Sequence, residues 1–263
     1  MDLQLTNKVA LITGSTAGIG LAIARRLAAE GAEIILTGRT EARLQEAQAA
    51  ILAETPNATV RGVAVDFSRS EQIDYLLIQV PTVDILVNNV GIFEPKPFAE
   101  IPDEDWLRFF EVNVLSGVRL SRQYFPQMLK KNWGRILFIS SESGLQIPEE
   151  MIHYGTTKTA QLAVARGLAE LTKGTDVTVN SVLPGPTASE GVEEFIQKMS
   201  AEGKSKEDAE REFFQNARPS SLLQRFATTD EVANMVAYLA SPLASATNGA
   251  SVRVDGGVIR SIG

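Results

Sequence analysis

Cysteine is absent from the 263 residues, and histidine occurs once, at His153. The first absence removes disulfides, thiolate nucleophiles and cysteine-held metals; the second removes any histidine cluster, so no metal site is expected. No apolar run is long enough to span a bilayer. The opening residues, Met1 to Lys8, have neither the basic nor the apolar region of a signal peptide. These absences predict a cytoplasmic chain with no membrane partner. Basic residues are in the minority: 25 Lys and Arg against 32 Asp and Glu leave a net charge of −7, which argues against a nucleic-acid partner. The remaining composition, 44% hydrophobic and 22% charged, is that of an ordinary globular domain.

Within that composition, apolar β-branched runs alternate with helical patterns. Segments 9–13, 34–37, 60–65, 83–87, 135–139, 177–182 and 250–254 read as strands, and their near-continuous hydrophobicity suits a parallel sheet buried on both faces. Helices are predicted near 18–30, 40–54, 69–79, 103–130 and 152–173, with another starting near Thr229. The alternation predicts an α/β fold: one domain with a doubly wound, seven-stranded parallel sheet, helices on both faces, and ligands at the carboxyl ends of the strands. One segment departs from the rhythm. Residues 184–228 are long for a strand-to-helix connection, and 190–200 and 204–214 read as charged amphipathic helices. An insertion at this end of a sheet reads as a substrate lid over about 186–227, or else as a structural or subunit-contact insert.

The chemistry-bearing residues fall at the ends of these strands. Gly14, Gly18 and Gly20 follow the first strand and open the first helix, where glycine permits a tight turn and backbone N–H groups can meet a pyrophosphate. After the second strand, Gly38 stands where NAD-selecting folds commonly place an acid, and Arg39 follows; a guanidinium suits a ribose 2′-phosphate. Tyr154 and Lys158 lie one helical turn apart, close enough for the ammonium to favour the phenolate. Two charges about 5 Å apart at an effective dielectric near 20 interact by roughly 3 kcal/mol, or about two pKa units. With Ser141 upstream, the pair reads as an acid–base device for a carbonyl or an alcohol.

Six motifs in order carry a family resemblance from about Asn7 to Gly257: Thr13-Gly14 with Gly18-Ile19-Gly20, Asn88-Asn89-Val90-Gly91, Asn113 in Glu111-Val-Asn-Val, Ser141 with Tyr154 and Lys158, Pro184-Gly185-Pro186-Thr187, and Asp255-Gly256-Gly257. The chain resembles the short-chain dehydrogenase/reductase family, with its Rossmann-type fold, and in particular the 3-oxoacyl-carrier-protein-reductase-like members. The lid is longer than in those reductases.

The resemblance implies that Tyr154 is the general acid in reduction and the general base in oxidation. Lys158 would bind the nicotinamide ribose and lower the tyrosine pKa, and Ser141 would hydrogen-bond the substrate oxygen. Asn113 would hold a water linking Lys158 to solvent. Gly14, Ser15, Thr16, Gly18, Ile19 and Gly20 would form the cofactor loop, joined by Arg39, Asp66, Asn89, Gly91, Pro184, Gly185 and Thr187. Thr187 would bond the nicotinamide carboxamide and Asp66 the adenine.

The expected activity is interconversion of a ketone and a secondary alcohol on a small-molecule substrate, with NADP(H) preferred and NAD(H) possible. The alternatives are an NAD-dependent alcohol dehydrogenase and a non-catalytic cofactor-binding protein. A homo-oligomer, tetramer or dimer, is implied through the long helices and last strand. His153, adjacent to Tyr154 on the helix, points elsewhere and reads as a packing or subunit-contact residue. Without the resemblance, Asp66 reads as a helix cap and Asn89 as a turn former. Two residues depart from the family pattern. Val90 replaces an alanine, and Glu142 places a carboxyl directly after Ser141, either facing solvent or disfavouring an anionic substrate.

Overall fold

The computed structural model describes residues 1–189 and 205–262. Seven strands, β1 (Val9–Ile12), β2 (Glu33–Gly38), β3 (Val60–Ala64), β4 (Ile85–Asn88), β5 (Gly134–Ile139), β6 (Val177–Pro184) and β7 (Ser251–Val254), form one sheet in the order β3-β2-β1-β4-β5-β6-β7. Every neighbouring pair is parallel, with register Ile12 beside Leu36 and Val87, and Ile139 beside Val182. The predicted sheet is present, with ends shifted by one or two residues.

Both faces are covered because each central strand is apolar on both sides. On one face α1 (Gly18–Ala29), α2 (Glu41–Glu54) and α8 (Thr229–Ala240) pack Leu27, Leu44 and Val232 over Ile12, Ile34 and Val87. On the other, α3 (Ser70–Gln79), α5 (Ser116–Lys131) and α6 (Ile152–Glu170) pack Ile73, Leu120 and Ala165 over Leu11, Ile35 and Leu86. Full burial of one such large aliphatic side chain contributes roughly 2 kcal/mol. Among the described residues, no helix is long and apolar enough to cross a membrane.

The helix expected over 103–130 is interrupted. α4 (Asp103–Phe110) ends in a wide turn, Glu111–Leu115, where the Ser116 N–H reaches back five residues to the Glu111 carbonyl before α5 begins. Such π-type turns recur at functional sites, and this one carries Asn113. Within the long connection, residues 190–200 lie outside the described residues. Its second helix, expected over 204–214, is α7 (Lys206–Asn216), capped by the Ser205 hydroxyl. The two ends of the connection are pinned together by a parallel bridge between Thr187 and Ala227. The chain then enters α8 through a reciprocal cap in which Thr228 and Glu231 each bond the other's backbone N–H.

Candidate active site

The strand order reverses between β1 and β4, so the loops leaving their carboxyl ends diverge and open a crevice. The β1 loop lines one side. Gly14 and Gly18 have φ of +61° and +54°, a region that penalises any Cβ. Gly20 is dictated by space: a Cβ there would lie 2.3 Å from the Gly14 carbonyl oxygen and 2.6 Å from Asn89 Nδ2. Asn89 fixes that loop by donating from Nδ2 to the carbonyls of Thr13 at 2.8 Å and Gly14 at 3.0 Å. It therefore does more than form a turn. Neighbouring Val90 packs on the core layer beneath and donates its N–H to Thr13 Oγ1.

α1 starts after Ala17, and among the described residues no side chain caps it. Its first N–H groups therefore remain for an anion, beside glycines that leave room for a phosphate. The cradle fits a dinucleotide pyrophosphate. Ser15 is tied into the fold within this loop. Its N–H donates to the Thr37 carbonyl, its hydroxyl donates to the Ile12 carbonyl at 2.8 Å, and that hydroxyl accepts the Thr37 N–H at 2.9 Å. It pins the loop to β2 from inside the fold. Thr16 lies over Gly38, where a Cβ would come within 2.4 Å of Thr16 Cγ2. An acid at that position is sterically excluded while Thr16 stays in place.

Arg39, exposed at the end of β2, adds to the lowering of the Asp66 carboxyl pKa, which comes chiefly from the Ser68 N–H and hydroxyl. Asp66 thus closes a turn before α3, whose cap position is Arg69. The helix-cap reading of Asp66 does not hold.

The opposite wall comes from β4, β5 and α6. Lys158 is 4% exposed, and its Nζ donates to the Ile139 carbonyl at 2.9 Å and lies 5.5 Å from the Tyr154 ring centroid. Gly91 lies beside this ammonium, where an added Cβ would reach ordinary van der Waals contact at 3.4 Å from Nζ. Burial, the only cause, lowers the Lys158 pKa to about 8. Tyr154 is pushed above the ordinary phenol value, first by burial, with a smaller increase from Glu142. A hydrogen bond with Ser141 and the charge of Arg218 oppose this rise. Burial outweighs whatever positive charge Lys158 contributes, so the phenol sits above its ordinary value.

The Asn113 side chain is held by protein groups at both its oxygen and its nitrogen. Its Oδ1 accepts the Ile92 N–H at 2.8 Å, and its Nδ2 donates to the Ile92 carbonyl and to Thr157 Oγ1, both at 3.0 Å. Its own carbonyl accepts Gln161 Nε2 at 2.5 Å, and Gln161 Oε1 accepts from Lys158 Nζ at 3.4 Å. Gln161 thus bridges Lys158 to Asn113 and takes one of the two lone pairs of that carbonyl. Sequence reasoning missed Gln161; its signal was a polar residue three after Lys158, on the buried side of the helix.

Ser141 is buried and accepts the Ser143 N–H at 3.1 Å, while its own hydroxyl donates to Glu142 Oε2. Glu142, whose orientation the sequence left open, is buried as well: Oε2 also accepts from Ser143 Oγ at 2.8 Å, and Oε1 accepts from Arg218 Nε at 3.0 Å. At the end of β6, Pro184 leads to Gly185, where a Cβ would meet the Asp255 carbonyl oxygen at 2.6 Å. Thr187 is buried, with its hydroxyl donating to the Gly185 carbonyl at 2.9 Å. His153 lies outside this group. Fully buried, it packs against Phe109 at 4.1 Å and Trp106 at 6.0 Å between ring centroids.

The chain is similar to known proteins in sequence and in fold. The family model for short chain dehydrogenase matches residues 8–200. The chain is 47% identical over 263 residues to the uncharacterized oxidoreductase YvaG of Bacillus subtilis (strain 168), covering 100% of both chains. It is 34% identical over 262 residues to the 3-oxoacyl-[acyl-carrier-protein] reductase FabG of Aquifex aeolicus (strain VF5), covering 98% of this chain and 100% of that one. Among solved structures, L-sorbose reductase from Gluconobacter frateurii, complexed with NADPH and L-sorbose, superposes with a TM-score of 0.92 at 31% identity, covering 100% of both chains. With its parallel sheet, its glycine crevice and a family match over most of its length, this chain belongs to the short-chain dehydrogenase/reductase family of oxidoreductases.

Proposed function

We propose that the protein is an NADP(H)-dependent oxidoreductase that interconverts a ketone and a secondary alcohol. One observation carries this reading: Ser141, Tyr154, Lys158 and Asn113, from three separate elements, converge beside the glycine cradle, with Ser141 hydrogen-bonded to Tyr154, Lys158 Nζ 5.5 Å from the Tyr154 ring centroid, and Gln161 joining Lys158 to the Asn113 carbonyl. When bound, the nicotinamide supplies or accepts the hydride. The protein's part is to hold the cofactor and to handle the proton on the substrate oxygen.

In this reading the α1 N-terminus and Gly14, Gly18 and Gly20 hold the pyrophosphate, with Thr16 and Ile19 beside it. Asn89 and Gly91 shape the crevice, Asp66 meets the adenine, and Pro184, Gly185 and Thr187 border the nicotinamide. Lys158 holds the ribose. Tyr154 gives its phenolic proton to the substrate oxygen in reduction and takes one in oxidation. Because burial raises this phenol, oxidation needs positive charge nearby, which Lys158 and an oxidised nicotinamide would provide.

The preference for NADP(H) rests on Arg39 and on Gly38, where Thr16 leaves no room for an acid. The NADPH complex of the L-sorbose reductase relative supports it. Segment 186–227 is the proposed substrate lid, closed at its base by the Thr187–Ala227 bridge. The exposed Leu107 and Phe110 on α4 suit the proposed homo-oligomer, a tetramer or dimer.

Titrating wild type and Arg39→Ala with NADPH and NADH, then supplying a chemically diverse carbonyl panel, tests the reading. We expect wild type to bind NADPH at least tenfold more tightly than NADH, Arg39→Ala to lose most of that difference, and NADPH to be consumed with at least one ketone. Equal wild-type affinities would overturn the NADP preference. Saturable NADPH binding without consumption across the panel would favour the cofactor-binding alternative.

A further inference from the structure

The side chain after Ser141 is the least expected group in the site. Glu142 is a carboxylate 5% exposed, and its four bonds come from Ser141 Oγ, the Ser143 N–H, Ser143 Oγ and Arg218 Nε. Arg218 is not part of the sheet framework. It follows α7 in the long connection, with its side chain 11% exposed, and its Nη1 donates to the Ala217 carbonyl at 2.8 Å and to Glu150 at 3.3 Å. One guanidinium therefore ties the connection to the β5 loop and to the turn before α6.

A serine hydroxyl has one proton. In this arrangement Ser141 directs it at Glu142, so the carboxylate competes with Tyr154 for the one proton the serine can donate. We propose that Glu142 is a positioning residue that orients the Ser141 hydroxyl and that Arg218 is its counter-ion, so that the connection between β6 and α8 sets the electrostatics of Tyr154 through the Arg218–Glu142–Ser141 chain. This inference rests on the role assigned above to Tyr154.

Two consequences follow from the charges. The groups around Tyr154 are Lys158 from its own helix, Glu142 from the β5 end and Arg218 from the connection, with Glu150 reached through Arg218. An anion near an ionising phenol opposes phenolate, and a cation favours it. Removing Glu142 should therefore ease ionisation of Tyr154, and removing Arg218 should hinder it. Second, Arg218 already serves two carboxylates, so an anionic substrate would have to compete with Glu142 and Glu150 for its charge.

The test follows Tyr154 ionisation directly, by tyrosinate absorbance of each protein minus that of its Tyr154→Phe counterpart, in full-length NADP⁺-bound protein. No turnover is required, so failure here is separable from failure of the enzymatic reading. Glu142→Gln should lower the Tyr154 midpoint by about one pH unit, Arg218→Gln should raise it by about as much, and Arg218→Lys should leave it near wild type. The pH profile of alcohol oxidation should shift the same way. If Glu142→Gln does not fold, Arg218→Gln against Arg218→Lys decides the matter. Midpoints in the Gln variants that match wild type would overturn the proposal, as would shifts of the same sign in Glu142→Gln and Arg218→Gln.

Discussion

At Lys158 an ammonium group is enclosed between the Ile139 carbonyl and Gln161, in a position that lowers its pKa to about 8. The sign of the consequence is fixed. Below pH 8 the group is charged and can serve ribose hydroxyls and a nearby phosphate; above it, the charge is lost. NADPH affinity measured by fluorescence titration from about pH 6.5 to about pH 9.5 should weaken above pH 8 in wild type, and Lys158→Met should bind weakly with little pH dependence. A flat wild-type profile would show that Lys158 does not titrate in this range. At this scale the residues proposed for the site were legible from type and spacing: Tyr154 with Lys158, Ser141, and the glycines. Gln161 and the Glu142–Arg218 pair were not. Arg218 lies 76 residues from Glu142 in sequence, and no local pattern marks a bond across that distance. The high Tyr154 pKa was also illegible, because burial is a property of the assembled walls and not of the helix that carries the phenol.

Among the elements, two helical glycines show how context decides the effect of one methyl group. Gly20 in α1 has the Gly14 carbonyl 2.3 Å from an ideal Cβ, whereas Gly167 in α6 has nothing within 4 Å. Gly20→Ala should push α1 from the β1 loop, destabilise the protein by about 2 kcal/mol and weaken NADPH binding at least tenfold. Gly167→Ala should instead stabilise by about 0.5–1 kcal/mol, the helix propensity difference. Thermal unfolding with paired NADPH titrations checks both, and a neutral Gly20→Ala would contradict the packing described for the cradle. Strands and helices were largely legible because buried parallel strands are apolar throughout and the helices between them are amphipathic. The break in 103–130 was not. Glu111–Leu115 keeps helical composition, and its wide turn arises where Asn113 bonds Ile92 and Thr157 on neighbouring elements.

For the molecule as a whole, strand–helix alternation identified a doubly wound sheet, and the order β3-β2-β1-β4-β5-β6-β7 explains why one crevice gathers every loop of interest. The long connection was visible as an interruption of that alternation. Its link to Ser141 through Arg218 became visible only in the folded chain. The central claim is that this crevice houses carbonyl chemistry run through one phenol. Tyr154→Phe removes a single oxygen and leaves the ring that faces Phe93 at 6.3 Å between centroids. Assayed with NADPH and a ketone accepted by wild type, Tyr154→Phe should lose at least 10²-fold in kcat, within the usual range for removing an acid–base group, while binding NADPH within about twofold of wild type. Near-normal turnover in that variant, with cofactor binding intact, would contradict the account.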